Sequence, residues 1–280
     1  MRVTVTGGSG LAGFAAVEHL LDAGHAVISI DRRPPPKAIT EYRLIDCQDL
    51  GQVYGACRGV DAILHLAAIP RPIHHSPDEV FRTNIMTTFN IFEAAAVLEI
   101  PRVVYVSSMS VTGLPFSYKP IRLAYLPIDE AHPQAPQDAY ALSKALGEDI
   151  AAAFVRRMAG ALSVVSLRFP WIHTPATFKS TLTPLQDDPA GGATNLWGYI
   201  DTRDVARACR LALEADISGQ EAFYISARNT FMKTDTVSLA QAYYPEVGIR
   251  SPLAGKASLF DCSKAAAALG FEALYSWEDY

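Results

Sequence analysis

The segment Met1–Asp31 reads MRVTVTGGSGLAGFAAVEHLLDAGHAVISID. Apolar Val3 and Val5 precede Gly7-Gly8-Ser9-Gly10-Leu11-Ala12-Gly13, a helical pattern follows, and Val27–Asp31 closes the segment as a second β-rich run. The order strand, glycine turn, helix, strand is a βαβ unit with an anion site at its turn. Gly7 permits the tight turn, and Gly10 lets backbone approach a pyrophosphate, with Leu11 beside it bordering the cofactor. Gly13 lets that helix lie close on its strand, so the amides of its first turn point at negative charge. Asp31, at the end of the second strand, is placed to accept hydrogen bonds from ribose hydroxyls. It would repel a 2′-phosphate, which favours NAD over NADP. Glycine triplets also occur in turns that bind nothing; the strand, helix, second strand and terminal acid in register carry the reading.

At 280 residues, half of them apolar, the chain has material for one large α/β domain or a nucleotide-binding domain with a small appendage. A formal charge of −5 without a run of like charges argues against nucleic acid or an anionic membrane as partner. No stretch approaches the ~20 apolar residues of a membrane span, and the first strand begins at once, so a cytoplasmic protein is expected. Cys47, Cys57, Cys209 and Cys262 are scattered without C-x-x-C spacing and the histidines do not cluster, which predicts reduced thiols and no metal site.

Beyond Asp31, the prolines and charges of Arg32–Lys37 predict a solvated loop beside the adenosine end, where Arg32 either stacks on adenine or is a plain surface arginine. A strand over 42–45 ends at Asp46-Cys47, facing the adenine edge, and a short helix spans 50–57. The strand Ala62–Ala68 ends in Leu66-Ala67-Ala68, small where bulk would meet a ligand lying across the strand ends. A helix over 76–98 carries Val80, Phe81, Ile85, Phe89, Phe92 and Ala96 as its core face, with Asn84 beside it as a strand anchor or part of the cofactor wall. The β-rich run 102–108 empties into Ser107-Ser108, where polar site groups belong in an open parallel sheet, and strand alternation lets only one of the two face a substrate. Met109–Pro136 reads as a functional or mobile loop over the site. A long helix over 138–158 places Tyr140 and Lys144 four apart on one face. A strand over 162–169 completes a doubly wound, parallel Rossmann-type α/β sheet in residues 1–170.

Residues 171–280 read as a smaller α/β substrate-binding region. Trp171–Asn195 has no period; a strand over 196–200, a helix over 202–214, a strand over 222–225 and helices over 234–243 and 262–269 follow. Some segments of about 196–225 are expected to return to the main sheet. Arg203-Asp204 reads as a link at a helix start, with Asp204 near the N-terminal amides.

Seven motifs in order resemble the extended short-chain dehydrogenase/reductase family, its NAD-dependent epimerase/dehydratase group. They are TGGSGLAG at 6–13, Asp31, HLAA at 65–68, Asn84, VSS at 106–108, YALSK at 140–144 and YIDTRDVA at 199–206. The resemblance spans nearly the whole chain. It implies Tyr140 as catalytic acid/base, Lys144 on the nicotinamide ribose, and Ser108 on the substrate hydroxyl. It also implies a cofactor bordered by Asp46, Cys47, Leu66, Ala67, Ala68, Asn84, Val106, Pro170 and Ile172, and a substrate near Met109 and Trp171; His74, in the loop after Pro72, either touches the substrate or is a solvated loop residue. Family members often dimerise through the two helices over 76–98 and 138–158, for which Phe89, Phe92 and Phe154 offer apolar surface, although core packing explains these residues equally well. The chemistry agrees independently: a free phenol, with a pKa of about 10, is too weakly ionised at neutral pH to take an alcohol proton. A neighbouring ammonium favours the phenolate.

The departures concern the substrate. In nucleotide-sugar members the strand is followed by an Asn that contacts the diphosphate and by a glycine; here Trp171 and Thr174 stand there. Only Lys179 supplies a cation between Pro175 and Tyr199, too little for a diphosphate. The family's Tyr after the serine strand is Thr112. The reading is thus an NAD-dependent oxidoreductase acting on a secondary hydroxyl or lactol of a small sugar or sugar acid. A nucleotide-sugar epimerase or dehydratase with tightly bound NAD is the alternative. A non-catalytic NAD sensor is a further one, disfavoured by the retained Tyr140 and Lys144.

Overall fold

The computed structural model describes all 280 residues. Its first half comprises β1 (Arg2–Thr6), α1 (Leu11–Asp22), β2 (Ala26–Asp31), β3 (Glu41–Leu44), α2 (Leu50–Cys57), β4 (Ala62–His65), α3 (Pro77–Val97), β5 (Arg102–Ser108), α4 (Ala139–Arg157) and β6 (Ser163–Phe169). Then come β7 (Trp171–His173), single turns α5 (Pro175–Thr177) and α6 (Pro189–Ala193), β8 (Tyr199–Asp201), α7 (Thr202–Glu214), β9 (Gln220–Tyr224), α8 (Thr236–Tyr243) and α9 (Ser263–Leu269).

Seven parallel strands form the main sheet in the order β3-β2-β1-β4-β5-β6-β9. Side-chain alternation sorts them into two cores. Val3, Val5, Leu64, Val104, Val165 and Leu167 face α1 and α7, whereas Ile28, Ile30, Ile63, Val103 and Tyr105 face α2, α3 and α4. The chain leaves β1 toward β2 on one side and reaches β4 on the other, so a crevice opens between the carboxyl ends of β1 and β4, where Thr6 pairs with His65. A dinucleotide lies at such a switch point in open parallel sheets.

A third core, built from Met109, Leu114, Leu126, Ile128, Trp197, Tyr199, Tyr224, Phe231 and Phe260 among others, is a cluster distinct from the two sheet cores. It corrects two expectations. Met109–Pro136 is not a free loop: after the 3-10 turn Met109–Thr112, Leu114, Leu123, Leu126 and Ile128 are buried, and Leu126 and Ile128 bridge to Ile249 and Phe260. The prolines interrupt helix and strand, but distant segments supply the missing partners. The strand expected over 196–200 lies instead at Tyr199–Asp201. β9 pairs with β6, whereas β8 pairs with β7 in a separate two-stranded sheet. Leu196 and Trp197 hold φ of 56° and 50°, so the strand cannot include them and starts at Tyr199.

The buried face of α3 also differs from the expected one. It presents Asn84, Thr87, Thr88, Asn90, Ile91 and Phe92 to the sheet, while Phe81 and Ile85 are half-buried and Phe89 is exposed. Polar residues win this face because three of them have partners at the strand ends: Asn84 on Ile69, Thr88 on His65, and Asn90 on the carbonyls of Cys47 and Gln48. Phe92 and Phe154 are core, stacked on one another.

Candidate active site

The glycine turn is shaped by contacts that no side chain would survive. Gly7 has φ +69°, and a Cβ there would lie 2.9 Å from the Ala67 nitrogen. A Cβ at Gly13 would lie 2.0 Å from the Gly7 carbonyl oxygen. Gly10 caps α1 without a side chain, so the amides of the first turn, from Leu11 on, keep their hydrogens for an anion. Asp31 accepts from the amides of Ser9 (3.1 Å) and Arg33 (3.2 Å), which orients its carboxylate at the mouth of this cradle. Both features fit a dinucleotide: the cradle its pyrophosphate, the carboxylate its ribose.

Around the cradle, Arg32 is exposed, Asp46 is half-buried, and Cys47 is buried with its thiol pushed up to about 12 by burial and so inert. Leu66, Ala67 and Ala68 are half-buried where β4 ends. The amides of Leu66 and Ala67 donate to Thr6 Oγ1 at 3.1 and 3.0 Å, so that hydroxyl donates in turn to His65 Nδ1 at 2.7 Å. This assigns the Nε2–H tautomer, facing Thr88 Oγ1 at 3.3 Å, and burial holds His65 neutral with a pKa of about 3. His65 therefore fastens the switch point and is no acid/base group. Asn84 is likewise committed: its amide brackets the Ile69 backbone and donates to Ser143 Oγ on α4.

The Tyr–Lys face of α4 meets the end of β5. Asp138 caps the helix, accepting from the amides of Tyr140 and Ala141, and so starts it where Tyr140 falls in the first turn. Tyr140 is buried against Ile69 and Val80, with Phe116 edge-on at 6.5 Å. Burial pushes its phenol up to about 12, and the neighbouring Ser108 hydroxyl acts in the opposite direction. Lys144, also buried, donates from Nζ to the Val106 carbonyl at 2.7 Å and stands 5.8 Å from the Tyr140 ring centroid. Burial pulls its ammonium down to about 7, opposed by the Glu148 carboxylate. Ser107 points to Glu148 (2.6 Å), whereas Ser108 exchanges hydrogen bonds with Ser110 and reaches Tyr140. A hydroxyl, a phenol and an ammonium thus converge at one strand end, an arrangement able to hold an alcohol oxygen and move its proton.

On the substrate side, Trp171 is 39% exposed and edge-on to His173, beyond the rung that pairs Ser108 with Phe169. Pro170 is buried and Ile172 half-buried on the first core. Met109 is covered within the third core, and His74 stands exposed with no hydrogen bond to the other candidates. Asp204 does not cap α7: Asp201 does, and Asp204 instead accepts from the amides of Leu274 and Tyr275. Sequence reasoning missed Phe116 and the buried pair Glu148–Arg168. For Glu148 a signal existed, since it lies four residues past Lys144 on the same helix face.

No helix is long and apolar enough to cross a membrane, and no group of three or more His, Cys, Asp or Glu is arranged to hold a metal ion. An L-arabinose 1-dehydrogenase (NAD(P)+) of Haloferax volcanii is 28% identical over 221 residues, covering 77% of this chain and 84% of that protein. A uronate dehydrogenase of Pseudomonas putida is 29% identical over 223 residues, covering 73% and 78%. A short-chain dehydrogenase/reductase superfamily protein of Agrobacterium tumefaciens, crystallised with bound NAD, superposes with a TM-score of 0.75 at 24% identity, covering 99% of this chain and 94% of that one, a likeness of fold. The NAD-dependent epimerase/dehydratase family matches residues 3–226, a span that holds the glycine turn, Asp31, Ser108, Tyr140 and Lys144, and the chain belongs to that family.

Proposed function

We propose that this enzyme transfers a hydride between NAD and the carbinol carbon of a small sugar or sugar acid, with Tyr140 moving the hydroxyl proton. The observation that carries this reading is the convergence of Ser108, Tyr140 and Lys144 at the carboxyl end of β5, one strand from the switch point. NAD, when bound, supplies the hydride acceptor and a cationic ring. Ser108 donates to the substrate oxygen and fixes its direction. Tyr140 takes the proton as the carbinol oxidises, and the Lys144 ammonium stabilises the phenolate.

The chain beyond β6 supports a small substrate. Thr174–Ala193 forms short turns, with Phe178 and Leu182 buried in the third core and Lys179 its one cation. A diphosphate would need a better-supplied cradle, whereas Trp171 offers an indole face to a sugar ring. The dehydrogenase names of the relatives point the same way. Phe81, Ile85 and Phe89, three turns of one partly exposed stripe on α3, support a homodimer across that helix, which sedimentation would detect.

The test is the appearance of NADH absorbance when the protein is given NAD and a panel of free aldoses and uronates. Turnover with free sugars is expected; conversion of nucleotide sugars without net NADH, and none with free sugars, would make the enzyme an epimerase. Tyr140→Phe is expected to lower kcat by about 10³-fold while NAD affinity stays within about twofold, the range seen when a general acid/base is removed. Full activity in that variant would remove Tyr140 from its role.

A further inference from the structure

Helix α4 carries a third polar side chain in line with Tyr140 and Lys144. Glu148, one turn beyond Lys144, is 5% exposed, and its carboxylate accepts four hydrogen bonds. They come from Ser107 Oγ at 2.6 Å, Arg168 Nε at 3.0 Å, Arg168 Nη2 at 2.7 Å and Gln134 Nε2 at 3.3 Å. Ser107 and Arg168 are direct neighbours across β5 and β6, and the next rung pairs Ser108 with Phe169. One carboxylate therefore brackets two adjacent strands, a single rung below the end of the sheet where the reacting groups stand.

We propose that Glu148 is a positioning residue, fastening α4 to the Ser107–Arg168 rung so that Tyr140 and Lys144 meet Ser108 and the Val106 carbonyl in register. The inference rests on the reading of Tyr140 as the proton-transfer group. A buried ion pair is a weak source of stability, because desolvating both charges offsets most of their attraction. Its geometric consequence is specific: Val106, which anchors Lys144, and Ser108, which meets Tyr140, flank the one β5 residue that Glu148 holds. A slip of an ångström here would misalign the proton donor with the alcohol oxygen.

Glu148 also acts on Lys144 through space. The titratable groups facing that ammonium are neutral His65 from β4, the Tyr105 ring at 5.1 Å from β5, and Tyr140 and Glu148 from α4 itself. Glu148 is the one carboxylate among them. Removing its charge disfavours the ammonium, and a less charged Lys144 stabilises the Tyr140 phenolate less, so the pH needed for alcohol oxidation moves upward.

The experiment compares Glu148→Gln, Ser107→Ala and Tyr140→Phe in the full chain. Glu148→Gln is expected to lower kcat by about 10- to 100-fold with KM changed by less than about threefold, as a misplaced catalytic group does. Its rate–pH profile for oxidation shifts to higher pH. Independently of turnover, the Lys144 13Cε resonance, assigned with Lys144→Arg, titrates at lower pH than in the parent. Ser107→Ala severs one strand contact without stranding a charge, and is expected to lower kcat by a few-fold with only a modest fall in unfolding temperature; it serves the test if Glu148→Gln does not fold. Unaltered kcat in Ser107→Ala and an unmoved Lys144 titration in Glu148→Gln would each overturn the proposal. So would a loss of kcat that tracks the loss of folded protein alone. Activity retained by Tyr140→Phe would instead sink the underlying reading, which keeps the two failures distinct.

Discussion

The cofactor cradle and the C-terminal clasp hold their shapes by opposite means. In the cradle most decisive contacts are local, Gly7 against Ala67 being the exception: Gly13 lies on Gly7, Gly8 on Ser29, and the Ser9 amide reaches Asp31 only 22 residues on. In the clasp nearly every one is remote. Tyr280 donates to Asp201, 79 residues away; the Trp277 amide donates to Tyr199 Oη; Asn229 donates to Ser276. Arg203 lies over the Tyr275 ring, and Phe178 stacks on Trp277 at 6.2 Å. Asp204, inside the YIDTRDVA motif, ties down Leu274 and Tyr275. A motif recognisable in the sequence can therefore serve a partner that the sequence around it does not reveal.

Three substitutions separate the two regions. The largest effect is expected from Gly13→Ala, whose Cβ would have to displace a backbone carbonyl now 2.0 Å from its place. Relief requires the turn to open, so NAD affinity should fall by about 100-fold or more, read by calorimetric titration. Unchanged affinity would show that the turn is looser than its contacts imply. Asp204→Ala acts on the clasp. It leaves two backbone amides without their acceptor, a cost of about 2–4 kcal/mol and a fall of roughly 5–10 °C in Tm. NAD affinity should stay within about twofold, since no cradle residue is touched; a parallel loss of NAD binding would show that clasp and cradle are coupled. The smallest effect is that of Asp31→Ser, which removes the charge opposing a 2′-phosphate and should lower the NAD:NADP preference in kcat/KM by about 10-fold, roughly 1.4 kcal/mol, with Tm nearly unchanged.

Legibility divides along the same line. The first βαβ unit is observed within a residue of its expected limits, and α4 begins at the cap that places Tyr140 and Lys144 on one face. Spacing within one helix or one turn is set by backbone geometry, which adjacent residues report. The buried face of α3 escapes a reading by hydrophobicity alone, which ranks Phe89 above Asn84. At the strand ends, available hydrogen-bond partners reverse that order. Met109–Pro136 reads as a loop because its partners at 248–260 lie over a hundred residues away, and β8 starts later than expected because Leu196 and Trp197 are left-handed. Glu148 shares the Tyr–Lys face in plain view, yet its function needs Arg168 from another strand, which only the β5–β6 register brings within reach.

The sequence by itself determined the cradle, the parallel sheet around it and the Tyr140–Lys144 pair, because each is built from residues one turn, one strand or one βαβ unit apart. Tertiary structure determined what surrounds them: the third core, the small β7–β8 sheet, the Asp204 clasp and the Glu148 bracket. Those depend on which buried polar or apolar group finds a partner from a distant segment. Hydrogen bonding and burial settle that matter in three dimensions, and local periodicity carries no record of it.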